Sequence, residues 1–149
     1  MKPSFTLIEL LIYMGLFAVF ITVLTNVFLS VLDSQLQSEA TSAVQIDARY
    51  LLSRLVYDIH RASAVVTPAG NGQTSTSLGL TIGGSNSTYA LSGNFLDLGP
   101  DQLNSYATVV SPFSVTRLGN ASGKATLQIS FTVSDQSETK NYQTTVDLR

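Results

Sequence analysis

The sequence contains no cysteine and no tryptophan, a single histidine, and Asp, Glu, Lys and Arg at only 12% of its positions. Because cysteine is absent, the chain can form neither a disulfide framework nor a thiolate metal site, and packing alone must hold any folded part together. Charge is scarcest near the start, where the 23 residues from Leu10 to Leu32 carry no Asp, Glu, Lys or Arg. One acid, Glu9, stands immediately before this run.

The uncharged run is long enough to cross a membrane, since an α-helix needs roughly 20 residues to span the ~30 Å hydrocarbon layer. A cleaved secretory signal is the competing interpretation, but its apolar region usually covers only about 7 to 15 residues. Lys2 precedes the run, and the next basic residue is Arg49. This bias predicts a single-pass membrane protein with its N-terminus in the cytoplasm and the residues after Leu32 on the outer side.

The part beyond the run is slightly acidic, with seven Lys and Arg against nine Asp and Glu from Asp33 onward. An excess of negative charge disfavours binding to a phosphate backbone, so nucleic acid is not an expected partner. The only histidine, His60, has no motif partner that would make it a catalytic base, and the sequence offers neither paired acids nor a metal-ligand set. We therefore expect a protein that is not an enzyme and that needs no cofactor or metal.

From residue 36 onward the apolar positions recur every three or four residues, which is typical of one face of an α-helix. No proline or glycine interrupts the chain between Leu16 and Thr67, so the membrane helix is expected to continue into the aqueous part. Pro68, Gly70 and Gly72 should end it. The predicted buried stripe consists of Leu36, Ala40, Val44, Ala48, Leu51, Leu55, Ile59 and Ala62.

Strand signals follow one another from the end of this helix to the end of the chain. Apolar residues alternate at Leu78, Leu80 and Ile82 before a GGSN turn, and ranges 89–91, 95–98 and 113–118 indicate further strands. Strict alternation marks the last two strands, on either side of an SDQSE loop. The pattern predicts an α+β fold in which the helical stripe covers one antiparallel sheet of about five or six strands. The alternating positions of the last two strands are Leu127, Ile129, Phe131 and Val133, then Tyr142, Thr144, Val146 and Leu148.

Two polar groups stand out from this pattern. Three charged helix residues are spaced by four and three positions, which predicts solvent-exposed ion pairs of a few tenths of a kcal/mol. Three oxygen-bearing residues further along suggest a calcium site, but they lack the spacing of an EF-hand loop, and a plain polar loop is the preferred interpretation. The first group is Arg54, Asp58 and Arg61, and the second is Asp97, Asp101 and Asn104.

The stretch SFTLIELLI, residues 4–12, resembles the N-terminal processing motif of type IV pilins and of the related pseudopilins of type II secretion and DNA-uptake machines. In that family a short basic leader ends in a small residue, usually glycine, and is followed by Phe-Thr-Leu-Ile-Glu and an apolar helix. Here Ser4 takes the place of the glycine. The stretch LLSRLVYDIHRASAVV, residues 51–66, looks like the region of minor pilins and J-type pseudopilins in which the helix ends.

The resemblance implies cleavage between Ser4 and Phe5 by a prepilin peptidase, followed by N-methylation of Phe5. It divides the chain into a leader (1–4), a transmembrane and filament-core helix (5–32), an amphipathic helix (33–66) that packs on the sheet, and a β-rich domain (67–149). The mature protein would lie in the inner membrane and then in an extracytoplasmic or surface filament. Its partners would be other pilin or pseudopilin subunits, the inner-membrane assembly platform and membrane lipid. The filament-core side chains would include Leu7, Ile8, Leu10, Leu11, Phe17 and Phe20.

Glu9 has two interpretations. In a filament core an unpaired carboxylate would cost several kcal/mol, so pairing Glu9 with the free amine of Phe5 on a neighbouring subunit would select one axial register. Alternatively, Glu9 only complements the dipole at the start of a helix, which is worth about 0.3–1 kcal/mol.

The sequence thus favours a structural subunit, a minor pilin or pseudopilin that assembles through its N-terminal helix. The alternative is a single-pass membrane-anchored binding protein that does not polymerise. An N-methylated terminus at Phe5 would distinguish the first from the second, which would keep Met1.

Overall fold

The computed structural model describes residues 6–119, 124–135 and 137–149. Within these ranges one α-helix, α1 (Leu7–Arg61), is followed by nine β-strands. The helix therefore continues without a break past the apolar run, as predicted. Its end differs from the prediction: the helix stops at Arg61, and Ala64–Thr67 forms a strand. The Ser63 amide donates a hydrogen bond to the carbonyl of Thr81 at 2.8 Å, so pairing with a distant strand takes over from the helix here.

The strands form two antiparallel sheets, where the sequence analysis expected one. The first sheet has the order β1-β3-β4-β5-β6 and the second β2-β7-β8-β9. The α+β class is confirmed. The first-sheet strands are β1 (Ala64–Thr67), β3 (Ser77–Ile82), β4 (Ser85–Ser92), β5 (Phe95–Leu98) and β6 (Asp101–Gln102). The second-sheet strands are β2 (Thr74–Ser75), β7 (Val109–Leu118), β8 (Thr126–Ser134) and β9 (Thr139–Asp147).

The predicted GGSN turn joins β3 to β4. Ile82 pairs with Ser85, which leaves Gly83 and Gly84 as a two-residue hairpin loop. Both glycines have a positive φ, 59° and 84°. Two-residue loops of this kind match the twist of the paired strands, and only glycine, asparagine and aspartate adopt them readily.

The chain forms two compact units, one ending at Ser38 and the other running from Glu39 to Arg149. In the second unit the core combines the buried stripe of α1 with the inner faces of both sheets. The stripe was predicted correctly from Ala40 onward, whereas Leu36 is 65% exposed. The α1 core residues are Val44, Ala48, Leu51, Leu55 and Ile59, and the sheet residues with no exposed surface include Leu78, Leu80, Tyr89, Leu96, Phe113, Leu127 and Ile129.

Candidate functional site

The first half of α1 presents an apolar surface that nothing in the described chain covers. Every residue from Thr6 to Ser38 is exposed except Glu9, which is half-buried. By length and composition, α1 can cross a membrane. Burying one large apolar side chain is worth about 1.5–3 kcal/mol, so water is an unfavourable environment for this surface. All six predicted filament-core residues belong to it: Leu7 (79% exposed), Ile8 (68%), Leu10 (54%), Leu11 (59%), Phe17 (61%) and Phe20 (56%).

Glu9 lies in the first turn of α1, where local hydrogen bonds define the start of the helix. The carbonyl of Thr6 accepts hydrogen bonds from the amides of Glu9 and Leu10, at 3.1 and 3.2 Å. The Thr6 hydroxyl oxygen lies 3.4 Å from the Glu9 amide, and the Tyr13 hydroxyl lies 3.4 Å from a Glu9 carboxylate oxygen. Thr6 and Glu9 thus have the spacing of a helix capping box. Ser4 and Phe5, the predicted processing residues, lie outside the described residues.

Two threonines inside the apolar run are satisfied by their own helix. The Thr22 hydroxyl donates to the carbonyl of Ala18 and the Thr25 hydroxyl to that of Ile21, both at 2.9 Å. Hydroxyls that bond back to the preceding turn add no unsatisfied group in a lipid environment. These threonines are therefore compatible with an apolar surrounding.

In the globular unit, Asp58 corrects one prediction. It was expected on the solvated face of the helix, but its side chain is only 3% exposed. Its Oδ2 accepts hydrogen bonds from the Tyr89 hydroxyl at 2.5 Å and from Arg54 Nε at 3.0 Å. Tyr89 lies on β4 and is fully buried, and burial, followed by the bond to Asp58, raises its phenol pKa well above the ordinary value. Asp58 therefore fixes the helix to the first sheet through a buried bond.

Arg61, the third charged residue of the predicted helix-surface group, is solvent-exposed as expected. It lies over the ring of Tyr57, with its Cζ 5.1 Å from the ring centroid. Its Nη1 is 3.3 Å from the Tyr57 hydroxyl. His60 is exposed, and its imidazole ring makes no hydrogen bond or ion pair with any other described residue.

One of the three suggested calcium residues is engaged by hydrogen bonds inside the fold. Asn104 is buried, and its side-chain oxygen accepts the Leu96 amide while its nitrogen donates to the carbonyl of Thr108, at 2.9 and 2.8 Å. Its amide is thus engaged inside the fold. Within the described ranges, no three His, Cys, Asp or Glu side chains lie together as a metal site would require.

Two contacts of the loop after β6 were not predicted from the sequence. Asp47 on α1 holds the loop after β6, because its Oδ2 accepts bonds from the Ser105 amide (2.9 Å), the Ser105 hydroxyl (2.6 Å) and the Thr108 hydroxyl (2.5 Å). That loop carries Tyr106, whose ring meets Phe95 edge-on. Neither contact has a local sequence signal, because both form only when the chain folds; Asp47, for example, bonds residues about sixty positions away.

A scan against protein-family models, a search among curated proteins and a search among solved structures each found no match to this chain.

Proposed function

We propose that this chain is a structural subunit, a minor pilin or pseudopilin, of a type IV pilus or a type II secretion-like filament. It would enter the inner membrane with its N-terminus in the cytoplasm, be cut between Ser4 and Phe5 by a prepilin peptidase, and assemble through α1. The observation that carries the proposal is a single helix that is exposed up to Ser38, is uncharged and mostly apolar from Leu10 to Leu32, and forms part of a folded core from Ala40 onward.

Two apolar environments can cover the exposed part of α1, which ends at Ser38, and the subunit would occupy them one after the other. Lipid covers it before assembly, and the equivalent helices of neighbouring subunits cover it afterwards. Both are apolar, so the transfer costs little for side chains such as Phe17 and Phe20, whereas exposure to water would be unfavourable at each step. The sequence motif SFTLIE, residues 4–9, supports this order of events by its resemblance to the pilin processing motif.

Moving from lipid to the filament core changes the surroundings of Glu9 more than those of the apolar side chains. Near the membrane surface its carboxylate can reach water and headgroups, but between packed helices it would be desolvated, at several kcal/mol if unpaired. The free amine of a neighbour's Phe5 can compensate it only at one axial offset. Glu9 therefore acts in our proposal as a register-setting residue. Its helix-capping geometry with Thr6 is the competing explanation, and it requires no neighbour.

Mass spectrometry of the membrane-extracted protein tests the proposal first. A mature chain beginning at N-methylated Phe5 is the expected result. A chain that retains Met1 would instead favour a simple membrane anchor that binds a partner without polymerising.

The register hypothesis has a separate test in Glu9→Gln, which keeps the size of the side chain and its capacity to accept a hydrogen bond. We expect normal membrane insertion and a large loss of incorporation into sheared filaments. Asp33→Asn, which neutralises the acid at the other end of the apolar run, is the matched control and should be incorporated normally. Equal incorporation of both variants would leave Glu9 with a capping role only.

A further inference from the structure

Among the described large hydrophobic side chains of the globular unit, Tyr106 is the most exposed, with 87% of its surface accessible. Its ring contacts Phe95, with the centroids 5.4 Å apart and the planes at 78°. Edge-to-face pairs of this kind hold a ring in a fixed orientation. An aromatic face that is both fixed and open to solvent is a common anchor at binding sites, because most of its apolar surface becomes buried only when a partner arrives.

The loop that carries Tyr106 is held from both sides. Asn104, immediately before it, is 3% exposed and bonds both β5 and the loop end through its side chain. Asp47 on α1 accepts three hydrogen bonds from Ser105 and Thr108, which flank the tyrosine. Ordering a loop on binding lowers affinity, so a loop ordered beforehand binds more tightly. These bonds therefore present Tyr106 in a binding-ready position.

A carboxylate lies on the same face of β5 as Phe95. Asp97 is two residues beyond Phe95 on β5, so the two side chains project from the same face of the strand, about 6.6 Å apart along it. It is half-buried, and its carboxylate makes no hydrogen bond or ion pair with the other described residues. Its cross-strand neighbours Ala90 and Gln102 are uncharged. The group thus has a negative charge and two aromatic rings but no cation of its own.

We propose that Phe95, Asp97 and Tyr106 form a recognition site for an arginine side chain on a partner polypeptide. A guanidinium group can stack on the open face of Tyr106 while its N–H groups reach the Asp97 carboxylate. Arginine suits this arrangement better than lysine because its head group is planar and can stack and donate at the same time. A purely apolar partner would leave Asp97 buried and unpaired, and a phosphate ligand would be repelled. The proposal makes no assumption about filament assembly.

The test uses the full chain in micelles of an uncharged detergent, titrated with a blocked glycine pentapeptide that carries one central arginine. Amide chemical shifts are followed by NMR. We expect millimolar binding, with shifts confined to Phe95–Leu98 and the loop 105–107. The same peptide with citrulline, a neutral isostere of arginine, should bind about tenfold more weakly because it loses the charge-assisted bond. The lysine peptide should also bind more weakly.

Variants assign the effect to the named side chains. Asp97→Asn should weaken arginine binding about tenfold and Tyr106→Ala about fivefold, whereas Tyr106→Phe, which keeps the ring, should bind as the unmodified chain does. Tyr50→Ala removes a half-exposed ring on α1 and serves as the matched control. The unshifted amides of β8 report that each variant is folded. The proposal is overturned if the arginine peptide shifts no resonance at this site, if citrulline or lysine binds as tightly, or if Asp97→Asn binds as tightly as the control.

Discussion

Replacing Asp58 by alanine is expected to destabilise the globular unit by far more than the loss of a surface ion pair. The change leaves the Tyr89 hydroxyl without its acceptor in a fully buried position, and an unsatisfied buried donor costs about 1–3 kcal/mol. The bond to Arg54 adds up to ~1 kcal/mol, because the Arg54 side chain is 42% exposed and solvent screens it. The sum is about 1–4 kcal/mol.

Tyr89→Phe should cost about 1.5–3 kcal/mol, since it removes a hydrogen bond to a buried carboxylate. The two changes should not be additive. Once Asp58 is alanine, the hydroxyl has no acceptor to lose, and its removal relieves an unsatisfied donor. The double variant is therefore expected to be at least as stable as Asp58→Ala alone, which corresponds to a coupling free energy of at least about 1.5 kcal/mol.

Native-state hydrogen exchange of the full chain in detergent micelles measures these differences. The amides of β8 (Thr126–Ser134) are suitable probes because this strand is paired on both sides, with β7 and β9, and such amides exchange through the largest openings. Strict additivity of the two substitutions would refute the reasoning. So would a cost below ~0.5 kcal/mol for Asp58→Ala, the value typical of a surface ion pair.

Three further predictions use the same exchange measurement or its pH dependence. Leu55→Ala should lower the free energy of unfolding by about 2–5 kcal/mol, because Leu55 is fully buried, whereas Leu36→Ala should change it by no more than ~0.5 kcal/mol. If both variants lowered it equally, the core would have to begin before Ala40. The raised pKa of Tyr89 means that the folded state favours the neutral phenol, so the resulting stabilisation is complete below about pH 10 and is lost as the pH rises above it. Tyr89→Phe should flatten the stability profile between about pH 9 and pH 11, and an unchanged profile would contradict this assignment. Asp47→Ala should speed exchange of the Ser105 amide by at least about tenfold while β8 exchanges as before; faster exchange throughout would show that Asp47 stabilises the whole unit.

Elements with a strong local pattern could be predicted from the sequence. The alternation of Leu127, Ile129, Phe131 and Val133 places β8, and all four residues are buried as expected. The three-to-four residue spacing of the helical stripe likewise identifies the buried face of α1 from Ala40 onward. In both cases the periodicity of the backbone and the need to bury apolar groups act on the same few residues.

The remaining features depend on contacts between distant parts of the chain. The strands β2 and β6 have two residues each, too few to show an alternating pattern, and their partners place them in two separate sheets. Asp58 is polar and would normally face solvent, but Tyr89, 31 residues further along, supplies a buried hydrogen bond. The sequence pattern predicted both parts of the candidate site on α1, Glu9 in the first turn and the apolar surface that follows it. The contact between Glu9 and the capping residue Thr6 became visible only in the structure.

The change in burial along α1 has a consequence for how the protein tolerates mutation. From Leu10 to Leu32 every side chain is exposed and no other described part of this chain constrains its shape, so most of these positions should accept another lipophilic residue. From Ala40 onward, Val44, Ala48 and Leu51 fit against the sheets, and even an isomeric swap alters the fit. One continuous helix would thus follow two substitution regimes, and a saturation-mutagenesis profile should show an abrupt step close to residue 39.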